Sequence, residues 1–173
     1  MRRNFLIIIL VAFSFQAFAT RQSSDILIIG NDTIFLQTFP LESIRRDNNF
    51  SPPFMYGDFP FPHTANWRGY IATWGIVESF LVLKEIAKTN SDSTLNIIEY
   101  FKSNNYNPKI INGFVVADWY SATLIRCRFS RDFSRRHDRL FLNIYHSRLN
   151  AGRAKLVFEN GKLVRNNIAS AEN

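Results

Sequence analysis

The chain carries a single cysteine, Cys127, in 173 residues. One thiol excludes an internal disulfide framework and any zinc site built on paired cysteines. Seven glycines and six prolines are too few for collagen-like or linker-like sequence. Acidic residues are scarce, 14 against 21 Lys and Arg, and few of them pair plausibly for glycoside hydrolysis. No phosphate-binding glycine loop, dinucleotide fingerprint or Gly-x-Ser-x-Gly nucleophile elbow occurs. No tandem repeat of solenoid or propeller length is present. Aromatics, by contrast, make up 15% of the chain, which excludes an intrinsically disordered protein.

The one long apolar run lies at the start. Arg2 and Arg3 precede a wholly apolar stretch, residues 5–13, and Ala17-Phe18-Ala19 forms a small-x-small cleavage signal before Thr20. A spanning helix needs about 20 apolar residues, and this run is shorter and broken by Ser14 and Gln16. Residues 1–19 therefore read as a removable signal peptide, and the protein as exported, periplasmic or secreted. The Arg-Arg-x-Phe-Leu start is similar to a twin-arginine signal, but the greasy run without a following basic residue favours the general secretory route. Removal of 19 residues leaves 154, and the net charge falls from +7 to +5 as Arg2 and Arg3 leave. A chain of that size buries roughly 68–70% of its unfolded surface and needs no staples.

Alternation of apolar and polar residues recurs along residues 20–168. Residues 25–30 and 33–37 flank Asn31-Asp32 as a hairpin. Residues 69–77 and 80–86 form a second, turning at Glu78-Ser79, and Tyr70, Ala72, Trp74 and Ile76 share one face of its first arm. Residues 155–159 and 162–167 flank Asn160-Gly161, which supplies the positive φ angles of a type I′ turn. Residues 115–128 and 139–145 are further strand-like runs. One helix is expected over residues 94–102, with Leu95, Ile98 and Phe101 at helical spacing, Asp92 or Ser93 as cap, and Asn104-Asn105 and Pro108 ending it. Residues 42–66 carry Pro52, Pro53, Pro60 and Pro62 and read as irregular, yet Phe50, Phe54, Tyr56, Phe59 and Phe61 make them pack down. Residues 169–173 read as a frayed tail. The expected fold is mainly β (α+β), a single domain of antiparallel hairpins with one short helix.

Several of these pieces carry a resemblance. Pro40-Leu41-Glu42 ends the first hairpin. Trp67-Arg68-Gly69-Tyr70 opens a strand, a short helix follows, and then come Asp118-Trp119-Tyr120, Tyr145-His146 and a last hairpin closed by Gly161. In this order and spacing, residues 25–167 resemble an uncharacterised family of small exported proteins from Bacteroidetes-type bacteria. The chain departs from that pattern in the arginine-rich stretch 126–139 and in Ser147-Arg148-Leu149-Asn150, where the family has a Gly-Tyr-rich segment. The resemblance implies export and architecture, and no established activity.

Two constellations stand out. Residues 126–155 hold nine Lys or Arg and two acids, Asp132 and Asp138, for a charge of +7. Phe129, Phe133, Phe141 and Tyr145 interleave with the arginines. The plainest reading is a solvated segment with its phenylalanines in the core. Arg131, Arg135, Arg136 and Arg139 would otherwise form an electrostatic patch for an acidic protein, a glycan or an anionic envelope surface. Nucleic acid fits the same chemistry, but export argues against it. The second constellation is Trp67, Arg68, Tyr70, Asp118, Trp119 and Tyr120. Asp118, set among apolar neighbours, needs a partner because burying a lone charge is costly, and Arg68 is the expected one. The group reads either as a register-fixing ion pair or as a sugar- or peptide-binding platform.

The remaining candidates are weaker. His63 reads as ordinary surface, and His137, Asp138 and His146 lack metal-ligand spacing. Cys127 lies between Arg126 and Arg128, but strand neighbours point to opposite faces, so a buried inert thiol is expected. No metal and no cofactor is expected. The leading function is a non-enzymatic, exported protein that binds a partner or ligand. The alternative is a hydrolase of phosphoesters or another anionic substrate, using His137 or His146 with nearby arginines.

Overall fold

The computed structural model describes residues 22–54, 65–89, 91–126, 140–144 and 155–167. Ten strands and two helices lie in these segments. The β-rich α+β class holds.

Strands β1 (Asp25–Ile29) and β2 (Asp32–Leu36) pair antiparallel, with Asp25 opposite Leu36 and Ile29 opposite Asp32. Alternation sends Asp25 and Leu27 of β1, and Ile34 and Leu36 of β2, into the interior. Strands β3 (Tyr70–Val77) and β4 (Phe80–Lys88) form the second hairpin. Its two turn residues, Glu78 and Ser79, have φ of 50° and 66°, the left-handed pair a type I′ turn demands. Tyr70, Ala72 and Trp74 are wholly buried on one face, and half-buried Ile76 packs against the same core. Strands β9 (Lys155–Glu159) and β10 (Lys162–Asn166) flank Asn160-Gly161, both at positive φ.

The first hairpin turns at Gly30-Asn31 rather than at Asn31-Asp32, which puts Asp32 in the second strand, and four further sequence expectations change. First, the segment after β2 begins with a helix, α1 (Pro40–Asp47), so there are two helices rather than one. Pro40 suits the first helical turn, where its missing N–H would have no partner anyway. Leu41 and Ile44, three residues apart, are the buried face, and Arg45 and Arg46 complement the dipole in the last turn. Second, the expected helix starts later, as α2 (Ile97–Ser103), capped by the Asn96 side chain on the Glu99 N–H rather than by Asp92 or Ser93. Thr94 instead bridges to Ala87 beside β4.

Third, residues 115–128 are not one strand. A short hairpin, β5 (Ile110–Ile111) with β6 (Phe114–Val116), turns at Asn112-Gly113. The chain then folds over at residues 117–120, where the Tyr120 N–H donates to the Ala117 carbonyl. It resumes as β7 (Ala122–Arg126), which pairs with β8 (Leu140–Ile144) and with β9. Fourth, the hairpins are not joined by antiparallel pairs alone. β1 lies parallel to β3, and β2 parallel to β8.

The strands run in the order β10-β9-β7-β8-β2-β1-β3-β4-β6-β5, and β10 also pairs with β4. That last pairing curls the sheet into a ring of eight strands, with β6 and β5 as an arm on β4. The closure is narrow. Lys162 stands opposite Phe80, the Leu81 N–H donates to the Gly161 carbonyl at 2.8 Å, and the Leu163 N–H donates to the Ser79 carbonyl at 2.7 Å. Gly161 makes this possible, since a Cβ there would stand 2.5 Å from the Ala117 carbonyl oxygen. Inside the ring, Leu27, Leu36, Trp74, Leu83, Leu124 and Phe158 form one core with Leu41 and Ile44 of α1. Truncating a buried residue such as Trp74 to alanine in a core of this kind costs about 3–5 kcal/mol.

Candidate functional site

The six residues expected to form a ligand surface do not lie on one surface. Arg68, Tyr70 and Tyr120 point into the core, Asp118 and Trp119 are half-buried, and Trp67 is exposed.

Arg68 does not pair with Asp118. Its guanidinium donates from Nη1 to Asp25 Oδ1 at 2.7 Å and from Nη2 to the Ser23 carbonyl at 2.7 Å. Neither side chain of this ion pair has any exposure. The plane also lies over the Phe39 ring, 3.8 Å from its centroid, and 5.0 Å from that of Tyr70. Asp25 accepts two further bonds, from Trp74 Nε1 at 3.2 Å and the Ala72 N–H at 3.3 Å. Burial pushes the Asp25 carboxyl above the usual carboxylate range, and Arg68, Trp74 and Ala72 pull the other way. The parallel β1–β3 pairing brings these residues together. It sets Leu27 beside Trp74, so the inward phase of each strand delivers Asp25 and Trp74 to one place.

A second polar unit sits on α1. Glu42 is buried and accepts at one oxygen from both Tyr70 Oη and Arg45 Nη1, each at 2.5 Å. Burial, with the Glu42 charge beside it, drives the Tyr70 hydroxyl well above the usual phenol range. Thr38 and Tyr120 share a buried hydrogen bond of 2.6 Å, and burial pushes the Tyr120 hydroxyl up to about 12.

The other half of the expected set belongs to an aromatic cluster. Trp119 donates from Nε1 to the Pro40 carbonyl at 2.9 Å, which ties the 117–120 fold to α1. Its ring lies 5.5 Å from that of Phe101, and Phe101 packs in turn against Phe50 and Tyr106. The actual neighbour of Asp118 is Tyr106, whose hydroxyl donates to Oδ1 at 3.5 Å. Burial and that carboxylate raise the Tyr106 hydroxyl.

Trp67 is the exception, 48% exposed between Asn66 at 2% and Arg68 at 6%. Asn66 donates from Nδ2 to the Tyr70 carbonyl at 3.1 Å and to Thr89 Oγ1 at 2.5 Å, and the Gly69 N–H closes the turn onto the Asn66 carbonyl. The Trp67 N–H donates to Gln22 Oε1 at 3.2 Å. The indole is thus carried outward by a turn whose two flanking side chains are anchored inside.

Sequence reasoning missed Asp25, Glu42 and Thr38. The phase of β1 was a usable signal, because Asp25 has the parity of Leu27 and so faces inward. Glu42 lacked one, because no helix was expected around it. The arginines Arg131, Arg135, Arg136 and Arg139 lie outside the described residues. So do His63, His137, His146, Cys127, the leader at residues 1–19 and the tail at 169–173. Among the described residues no three of His, Cys, Asp and Glu gather as a metal site, and no helix is long and apolar enough to cross a membrane. Asp25 and Glu42 are held by cations and N–H or O–H donors, an arrangement that fixes structure rather than moves protons.

No family model, no curated protein and no solved structure matches the chain.

Proposed function

We propose that this chain is an exported, non-enzymatic binding protein, in which the eight-stranded ring is the scaffold and Trp67 the contact residue. The observation that carries this reading is the mounting of Trp67. Its neighbours Asn66 and Arg68 are buried, so the backbone of the turn is fixed and about half of the Trp67 residue stays in water. Such a ring offers a large contact area at little conformational cost on binding. A sugar face or the side chain of a peptide is the chemistry it suits. The signal-like leader supports export. The Pro40-Leu41-Glu42, Trp67-Arg68-Gly69-Tyr70 and Asp118-Trp119-Tyr120 motifs support membership in the small exported Bacteroidetes-type family. The arginines at 131, 135, 136 and 139 would add an electrostatic contact with an acidic protein, glycan or anionic envelope surface.

The test uses tagged mature protein on native envelope fractions and on an array of envelope glycans, with wild type and Trp67→Ala side by side. Truncating an aromatic anchor at the centre of a contact weakens binding about thirtyfold or more. The variant should lose the captured ligand while keeping the wild-type unfolding midpoint. Equal capture by both proteins would discard the Trp67 reading. Retained turnover of a phosphoester by purified protein, lost in His146→Ala, would favour the hydrolase instead.

A further inference from the structure

In an Asn-Gly pair the backbone nitrogen of the glycine reaches the asparagine side-chain amide easily, because no Cβ stands in the way. The sequence holds two such pairs, Asn112-Gly113 and Asn160-Gly161. Each forms the two-residue turn of a hairpin, with both residues at positive φ. Local order makes the two alike, and the fold makes them different. Gly161 is buried, and its N–H donates to the Tyr120 carbonyl at 2.8 Å. Its carbonyl accepts from the Leu81 N–H at 2.8 Å, and the Asn160 N–H donates to Ser121 Oγ at 2.8 Å. This turn is part of the ring closure and is held from both sides.

The other turn lacks these ties. Asn112 and Gly113 are both exposed, and a Cβ at Gly113 would meet nothing within 4 Å. The Gly113 N–H makes no hydrogen bond among the described residues. The turn joins β5, two residues long, to β6, three residues long, at the end of the strand order. That hairpin sets Ile110 opposite Val115 and Ile111 opposite Phe114, with one further bond from the Val116 N–H to the Lys109 carbonyl. So short a hairpin at an edge opens locally at low cost, which leaves the Gly113 nitrogen free to approach Asn112 Cγ. The Asn112 side chain itself reaches the neighbouring turn between β3 and β4, where its Nδ2 donates to Glu78 Oε1 at 3.2 Å.

We propose that Asn112 is a site of spontaneous deamidation in the folded protein, with water as the co-reactant. The Gly113 nitrogen gives up its proton and bonds to Asn112 Cγ. The bond from Cγ to Nδ2 breaks, and the side-chain nitrogen takes up a proton and leaves as ammonia. Water then opens the resulting succinimide at one or other carbonyl, to aspartate or isoaspartate. In aspartate a carboxylate replaces the donor to Glu78, so an attraction between the two turns becomes a repulsion. Isoaspartate adds a methylene to the backbone of a two-residue turn, whose length sets the register of β5 and β6. The test is peptide mapping by mass spectrometry of mature protein aged at mildly alkaline pH, both folded and in guanidinium chloride, with isoaspartate counted by enzymatic methylation. In the folded chain Asn112 should convert about tenfold or more faster than Asn160, the factor that breaking a buried hydrogen bond imposes on Gly161. In denaturant the two rates should come together, since both pairs are then open. Equal conversion of the two sites in the folded protein, a ratio that persists unchanged in denaturant, or an Asn112 that stays intact in the folded chain while converting in denaturant would each overturn the proposal.

Discussion

The buried Asp25–Arg68 pair permits a quantitative test of how the strand ends are held. Arg68→Met removes the guanidinium and leaves the Asp25 carboxylate in the core with two N–H donors, those of Trp74 and Ala72. Asp25→Asn removes the opposite charge and leaves a buried guanidinium facing the Ser23 carbonyl and an uncharged amide. Both groups are wholly inaccessible, so water cannot compensate either loss. Removing one partner of such a pair costs about 3–5 kcal/mol. For a chain of this size that is a fall of roughly 6–20 °C in the unfolding midpoint. The double variant Asp25→Asn/Arg68→Met leaves no stranded charge, and the introduced amide oxygen can still accept from Trp74 or Ala72. It should therefore cost less than the sum of the singles, with a coupling of about 2–4 kcal/mol. The assay is urea unfolding followed by tryptophan fluorescence, with the slope checked for constancy. Additive losses, or a single variant costing under about 1 kcal/mol, would refute the claim that the pair is closed to solvent and interdependent.

Two further outcomes follow from the same core. Tyr70 and Tyr120 are held above their ordinary value in the folded chain by burial, Tyr120 at about 12. A weak acid whose folded value is raised contributes stability that is complete below the unfolded value, about 10, and declines as the pH rises past it. Stability should fall between about pH 10 and 12 by up to about 2.7 kcal/mol per pH unit for the two groups, with phenolate absorbance appearing as the protein unfolds. A phenolate signal titrating fully at about pH 10 in folded protein would contradict their burial. Gly161→Ala should destabilise by more than about 1 kcal/mol, because φ is +75° and the new Cβ would press on the Ala117 carbonyl. Hydrogen exchange should then accelerate first at Leu81 and Leu163, whose N–H groups close the ring. Unchanged protection there would show that β4–β10 pairing does not depend on that approach.

Local chemistry was legible in the amino-acid order wherever one residue type settles a backbone conformation or one period settles a face. Asn160-Gly161 marks its turn without help, whereas Glu78-Ser79 is legible only as the polar pair between two apolar runs. Strand alternation alone selects Tyr70, Ala72 and Trp74 as core. The helix α1 was harder to see, because four prolines downstream outweighed the short Pro40, Leu41 and Ile44 signal within it. The boundary of α2 moved because Thr94 is drawn onto Ala87, a tertiary pairing that overrides a good local cap.

Partner choice is the part that needed tertiary structure. Arg68 and Asp118 looked matched because each is a charge among aromatics, but Arg68 goes to Asp25, 43 residues earlier. That choice rests on β1 lying parallel to β3: strand phase turns Asp25 inward, but which strand lies beside it is decided by tertiary packing. The same holds for the closure of the ring, which hangs on Gly161 meeting Leu81 across the molecule. It holds as well for the exposure of Trp67 between two buried neighbours. A sequence names the residues able to be buried, paired or displayed, whereas the crossing of distant strands assigns each of them to one of those fates.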